Sequence, residues 1–184
     1  YAQLLRRAKP TKDTVLVCAQ VRLGTRSATN VIDDKFMELE DSKKYWSFIN
    51  RTFLNNLERS QYRVFLTTDT FYVKAEAQQA FGANLVLYDE APPKHLDMDF
   101  SHRGAQCDSI DNIIIEFHML QNCDVSVVSH SGFGLLGSWN RPVPNKNFYL
   151  YSQQNQNDLK KAYRVRDKLN FIKINDLDND VYFL

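Results

Sequence analysis

Residues Val125-Ser126-Val127-Val128-Ser129 read as a β-strand that empties into His130-Ser131-Gly132-Phe133-Gly134, and an apolar helical pattern follows at Leu135-Leu136-Gly137-Ser138-Trp139. A strand, a turn of small hydroxyl and glycine residues, and then a helix is the local order from which chains build anion sites. The first turn of a helix has free backbone N–H groups and the positive end of a dipole. Glycine admits a phosphate close to the backbone, and serine adds hydroxyl donors. A second junction of this kind stands upstream, where Val15-Leu16-Val17-Cys18-Ala19-Gln20-Val21-Arg22-Leu23-Gly24 brings one arginine to the end of an apolar strand. Two strand ends that offer phosphate donors point to a nucleotide or nucleotide-sugar site.

Strand and helix signals alternate along the chain. Val15 to Arg22, Tyr62 to Thr68, Asn84 to Tyr88 and Val125 to Ser129 read as strands, and Phe148 to Tyr151 as a short last one. Between them, Ser42 to Leu57 carries Tyr45, Phe48, Ile49, Phe53 and Leu57 at helical spacing. A helix capped by Asp69 or Thr70 runs to Phe81-Gly82. Asp108 to Asn122 has Ile110, Ile113, Ile114, Phe117 and Leu120 on one side. Thr25 to Asp41 and Asp89 to Arg103 read as loops, Asn157 to Leu169 as a surface helix, and Asp176, Asp178 and Asp180 as part of a polar tail. This alternation predicts one doubly wound, Rossmann-like α/β domain over residues 1–184, with its core at 14–151 and a C-terminal helix and tail at 152–184. The expected sheet is parallel, of four or five strands.

In such sheets ligands bind outside the carboxyl ends of the strands. Those ends carry Gln20, Arg22 and Gly24, then Thr67, Thr68 and Asp69, then Ser129, His130, Ser131, Gly132 and Phe133. A guanidinium forks two phosphate oxygens and is always charged, which makes Arg22 the leading candidate. Gln20 can hydrogen-bond a base, a sugar or a phosphate, or be a satisfied polar residue at a strand end. Glu116 and His118 sit on the apolar helix before the serine turn, where either can face the crevice or solvent. Asp97-Met98-Asp99 resembles a metal-binding pair but lacks the hydrophobic strand that delivers one, so these read as loop carboxylates and no metal is expected. The G-x-S-x-G elbow of hydrolases is absent. Gly132 to Gly137 fits the G-x-G-x-x-G spacing but follows the last core strand rather than the first, and it is discounted.

Charge excludes one class of partner. The 23 basic and 22 acidic side chains nearly cancel, which argues against a nucleic-acid binder that relies on a basic field. No apolar run reaches the roughly 18 residues that span a bilayer. The chain opens on Tyr1 rather than Met and is read as a processed product or a piece of something longer. Asn50-Arg51-Thr52 is a glycosylation sequon, meaningful in a secreted chain. Of three cysteines, Cys18 reads as a small buried hydrophobe. Cys107 and Cys123 flank a helix about 24 Å long, too far apart to bridge.

Taken in order, these motifs resemble those of fucosyltransferases of the α1,6 and protein O-fucosyl kind. Gln20-Val21-Arg22-Leu23-Gly24 resembles their HxRxG or HxRR segment, and Thr67-Thr68-Asp69 their strand-end (S/A/T)TD. Ile115 to Asp124, leading into Ser129-His130-Ser131-Gly132-Phe133, resembles their last donor-binding helix, strand and serine turn. The match covers roughly residues 14 to 140. The resemblance implies the C-terminal half of a GT-B glycosyltransferase, which binds GDP-fucose without a metal or other cofactor and transfers fucose to a glycan or protein hydroxyl. It implies that Arg22 holds the β-phosphate and stabilises the leaving group, that Ser131 binds phosphate, and that Glu116 lies by the nucleoside. His95, Glu116 and His118 are then candidates for the base, and His95 and Asp97 join the donor-binding set. An N-terminal domain completing the acceptor cleft, and residence in the ER or Golgi lumen or outside the cell, follow from the same resemblance. Gln20 stands where the family has histidine. A module that binds nucleotide-sugar or carbohydrate without transfer is therefore the alternative.

Overall fold

The computed structural model describes residues 1–24, 39–88, 103–151 and 171–173; the side chains of 103–109 and 172 are not described. Of the loops expected over Thr25 to Asp41 and Asp89 to Arg103, residues 25–38 and 89–102, with His95 and Asp97, lie outside these residues. So do the 157–169 helix and the acidic tail.

In chain order the elements are α1 (Ala2–Ala8), β1 (Val15–Val21), α2 (Leu39–Ile49), β2 (Tyr62–Thr68), α3 (Phe71–Phe81), β3 (Leu85–Val86), α4 (Arg103–Leu120), β4 (Val125–Ser129), α5 (Gly132–Trp139), β5 (Phe148–Tyr151) and β6 (Phe171–Lys173). The strands form one sheet in the order β3-β2-β1-β4-β5-β6. The first five are parallel, and β6 runs antiparallel on β5, pairing Tyr151 with Phe171. This is the open, doubly wound, Rossmann-like arrangement. Its strand order reverses between β1 and β4, which are direct neighbours: Val17 pairs with Val125 and Gln20 with Val128.

Alternation along each strand sends successive side chains to opposite faces. One face of the sheet offers Val17, Ala19, Val21, Val64, Leu66 and Val127, and α2 and α3 cover it with Tyr45, Trp46, Ile49, Val73, Ala77 and Phe81. The other face offers Leu16, Cys18 and Phe65 to Leu4 and Ala8 of α1 and to Met119 and Leu120 of α4. Val128, Phe148 and Leu150 pack beneath Leu135 of α5. Burial on both faces is why the strands read as near-continuous apolar runs rather than alternating ones.

Several boundaries differ from the sequence reading for identifiable reasons. Helix α2 begins at Leu39, not Ser42. The Ser42 hydroxyl shares its one proton between the Leu39 carbonyl, 2.6 Å away inside the first turn, and Glu76 of α3, so it ties two helices together instead of capping one. After Ile49 the helix widens into a π-helical turn, Asn50–Leu54. Helix α4 starts at Arg103, so Asp108 lies within it. Thr70 rather than Asp69 caps α3, accepting the Val73 N–H at 3.2 Å.

The cysteine reading is corrected outright. Cys18 is not a free buried hydrophobe: it is disulfide-bonded to Cys123, with the two Cα atoms 5.8 Å apart. Cys123 was excluded only from pairing across its own helix. The turn between α4 and β4 returns it beneath β1, a proximity that chain spacing alone does not reveal.

Candidate functional site

The carboxyl ends of β1, β2 and β4 meet at the reversal of strand order, the place where open α/β sheets hold their ligands. The residues there interlock. Ser129, the last residue of β4, is buried; its hydroxyl donates to Gln20 Oε1 at 2.8 Å and accepts the Arg22 N–H at 3.2 Å. Gln20, also buried, directs Nε2 towards Ser131 Oγ, 3.5 Å away. Arg22 is half-buried at the end of a central strand. The sequence reading expects Arg22 near the serine turn; the pairing of β1 with β4 sets the Arg22 backbone beside Ser129.

Beyond Arg22 the chain is held by Asp69. Its two carboxylate oxygens accept the Leu23 N–H at 3.1 Å and the Gly24 N–H at 2.9 Å. Gly24 adopts φ 67°, a left-handed conformation that a side chain would strain. Asp69 thus fixes the backbone at the end of β1, and Gly24 turns it. Thr68 accepts the Thr70 N–H at 3.4 Å, a local turn contact. Thr67 donates its hydroxyl to Glu116 at 2.6 Å, so Glu116 of α4 lies over the end of β2.

His118 is placed elsewhere. Two residues on from Glu116, it lies about 200° around the helix. It is exposed, 3.2 Å from Gln121 Oε1 and with its ring centroid 5.8 Å from that of Tyr1. It faces the first residue of the chain, away from the strand ends.

The serine turn leads straight into α5, with Ser131 at the N-cap and Leu135 N–H donating to the Ser131 carbonyl at 3.0 Å. The preceding amides, of Gly132, Phe133 and Gly134, have no carbonyl within the helix to bond. Gly132 is exposed, and a Cβ built there meets nothing within 4 Å among the described residues, whereas Gly134 is buried. Phe133 is half-buried, its ring 5.9 Å from Phe117, which makes it a packing residue as well as a member of the turn. His130 is half-buried beside it.

Gly134 answers a different need. A Cβ there would stand 2.5 Å from Gln20 Oε1 and 3.1 Å from Val128 Cβ. Gly134→Ala is expected to displace the Gln20 amide from Ser129 and to cost about 1–3 kcal/mol. Thermal unfolding of the variant checks this, and an unchanged melting temperature would contradict it.

Sequence reasoning missed the buried network behind the site. The Tyr151 hydroxyl donates to Asp41 Oδ1 at 3.0 Å, and Lys44 pairs with the same oxygen at 2.5 Å. Tyr45 hydrogen-bonds Ser129. Burial, reinforced by neighbouring Tyr151, pushes the Tyr45 hydroxyl well above its ordinary value. Burial and the Asp41 carboxylate do the same for Tyr151. Both tyrosines stay neutral hydrogen-bonding groups under ordinary conditions. Tyr45 read as one member of an apolar face, and Asp41 as the end of a loop; neither position signals the polar contact. Asn50 and Thr52 of the sequon are both exposed.

Among the described residues no group of three His, Cys, Asp or Glu side chains could hold a metal ion. Among the same residues no helix is long and apolar enough to cross a membrane.

The fold is that of a doubly wound α/β domain whose strand order reverses between the first and fourth strands. Solved structures similar to it include fucosyltransferase NodZ from Bradyrhizobium, at 15% identity and a TM-score of 0.45, over 84% of this chain and 44% of that chain. NodZ α-1,6-fucosyltransferase co-crystallised with GDP gives 12% identity and 0.45, over 83% and 44%. The same enzyme soaked with GDP-fucose gives 14% and 0.49, over 94% and 49%. The chain therefore spans just under half the length of these proteins. No family model matches the chain, and no curated protein matches it. At this level of likeness the case for function stands on the site's own residues.

Proposed function

We propose that this chain binds a nucleoside-diphosphate sugar and is the donor-binding half of a metal-independent, fucosyltransferase-like glycosyltransferase. One observation carries the reading. β1 and β4 are adjacent where the strand order reverses, so the backbone at Arg22 lies beside Ser129, two residues before the Ser131 to Gly134 turn. A diphosphate there meets a guanidinium from one side and helix amides from the other, two donors suited to the charge that grows on a departing diphosphate. The order of the sequence motifs directs the nucleotide to GDP and the sugar to fucose. An acceptor hydroxyl on a glycan or protein, and a further domain to hold it, belong to the same proposal.

Calorimetry with GDP, GMP, ADP and UDP tests it. GDP is expected to bind, and to bind roughly tenfold or more tightly than GMP, because a charge-assisted contact to the second phosphate is worth about 1.5–3 kcal/mol. Failure of every nucleoside diphosphate to bind would sink the reading.

The alternative is a binding module without transfer. It is favoured by the burial of Gln20, whose amide is engaged with two serines and offers no base. Turnover of GDP-fucose by a longer parent chain separates the two.

Residence in the secretory pathway is part of the proposal. The Cys18–Cys123 disulfide suits an oxidising compartment, and the sequon is exposed. Expressed with a secretion signal in eukaryotic cells, the chain is expected to lose apparent mass on endoglycosidase treatment. Asn50→Gln should abolish that shift; a shift that survives the substitution would contradict the assignment.

A further inference from the structure

Ser131 stands at the N-cap of α5, where a serine hydroxyl ordinarily accepts an N–H from two or three residues further on. Here it makes no such bond. Its Oγ lies instead 3.5 Å from Gln20 Nε2, at the long end of the hydrogen-bonding range. The other end of the same amide is fixed: Gln20 Oε1 takes the Ser129 proton at 2.8 Å, while Ser129 accepts the Arg22 N–H. The amide is also confined, with Gly134 so close that no Cβ fits between.

The chemistry of this arrangement is directional. An amide NH2 donates and cannot accept. Gln20 therefore takes a lone pair of Ser131 and leaves the Ser131 proton unspent. It also draws Ser131 away from its own helix, so that the amides of Gly132 to Gly134 are not capped by the residue placed to cap them. Gln20 is buried, and both ends of its amide are turned to serines.

Resting on the nucleotide reading above, we infer that Gln20 is a positioning residue: it does not touch the donor, and it holds the Ser131 hydroxyl and the α5 amides ready for the donor's phosphate. The same amide, through Ser129, ties this turn to the Arg22 backbone, so both phosphate-binding groups hang on one side chain.

The test is a double-mutant cycle on the whole chain, with GDP as the calorimetric probe and a melting curve for every variant. Gln20→Met keeps the bulk and removes both hydrogen bonds; Ser131→Ala removes the hydroxyl that Gln20 orients. Each is expected to weaken GDP binding about tenfold, and the double variant to bind no more weakly than the poorer single one, since the two act through one contact. Gln20→Glu keeps the shape but can only accept, so it takes the Ser131 proton; it is expected to bind GDP at least as weakly as Gln20→Met. It serves in its place if the methionine variant does not fold. Losses that multiply in the double variant, or unchanged affinity in the Gln20 variants, overturn the inference while the nucleotide reading stands. No binding of GDP by the unaltered chain overturns both.

Discussion

Arg22→Ala is expected to weaken GDP binding roughly tenfold to a hundredfold, the worth of a charge-assisted, two-pronged contact with phosphate. The fold should survive. Arg22 follows the last hydrogen-bonded position of β1, and its backbone N–H, which the substitution keeps, donates to Ser129. The backbone beyond it is clamped independently, by Asp69 on Leu23 and Gly24. Arg22→Lys keeps the charge and loses the fork, so it should recover only part of the affinity. GDP affinity and melting temperature of the two variants decide the matter. Unchanged affinity, or unfolding with no separate effect on ligand, would make Arg22 a structural residue.

The second large effect concerns stability. Cys18 and Cys123 are separated by 105 residues, and a cross-link over so long a loop removes much of the freedom of the unfolded chain. The chain-entropy model gives about 4–5 kcal/mol for such a loop. The bond also sits in the layer between β1 and α4, among Leu16, Phe65, Met119 and Leu120, where a sulfur lost would leave a gap. Replacing both cysteines by alanine is expected to lower the melting temperature by about 10 °C, given roughly 2–4 °C per kcal/mol at this chain length. The site should feel it too, because Cys18 precedes Gln20 on the same face of β1. A variant that melts with the parent chain, or two further reactive thiols in the denatured, unreduced parent, would contradict the bond.

Much of this architecture was legible in the chain, and the reason is physical. β2, β4 and β5 fall where their apolar runs stand in the sequence, because a strand buried on both faces is apolar along most of its length. The end of α3 was marked by Gly82. Helix α1 gave no comparable signal: only Leu4 and Ala8 of its residues are buried, too few to set a period. β6 was hidden by its brevity, and it sits in the sheet through pairing with β5 rather than through a pattern of its own.

The site was legible to a smaller degree. Residue types at strand ends mark Arg22, Ser131 and Gly132 without any structure. They do not say which polar side chains face a ligand and which face one another. Ser129 and Gln20 were candidates for direct contact, and the structure binds them together below the surface. Asp69 was a candidate of the same kind, and it holds backbone amides. Glu116 and His118 stand two residues apart in the chain and on opposed sides of the helix, which decides that one overlies the strand ends and the other does not. Such distinctions depend on side-chain partners far apart in sequence, and these enter only with the fold.

The most direct test of the central claim is a titration of the ¹⁵N-labelled chain with GDP, following the backbone amide resonances. The amides of Leu23 and Gly24 and those of Ser131, Gly132, Phe133 and Gly134 are expected to move together and to saturate at one concentration, while that of His118 stays in place. Shifts confined to other parts of the chain, or no saturable shift at all, would contradict a diphosphate site between the first and fourth strands.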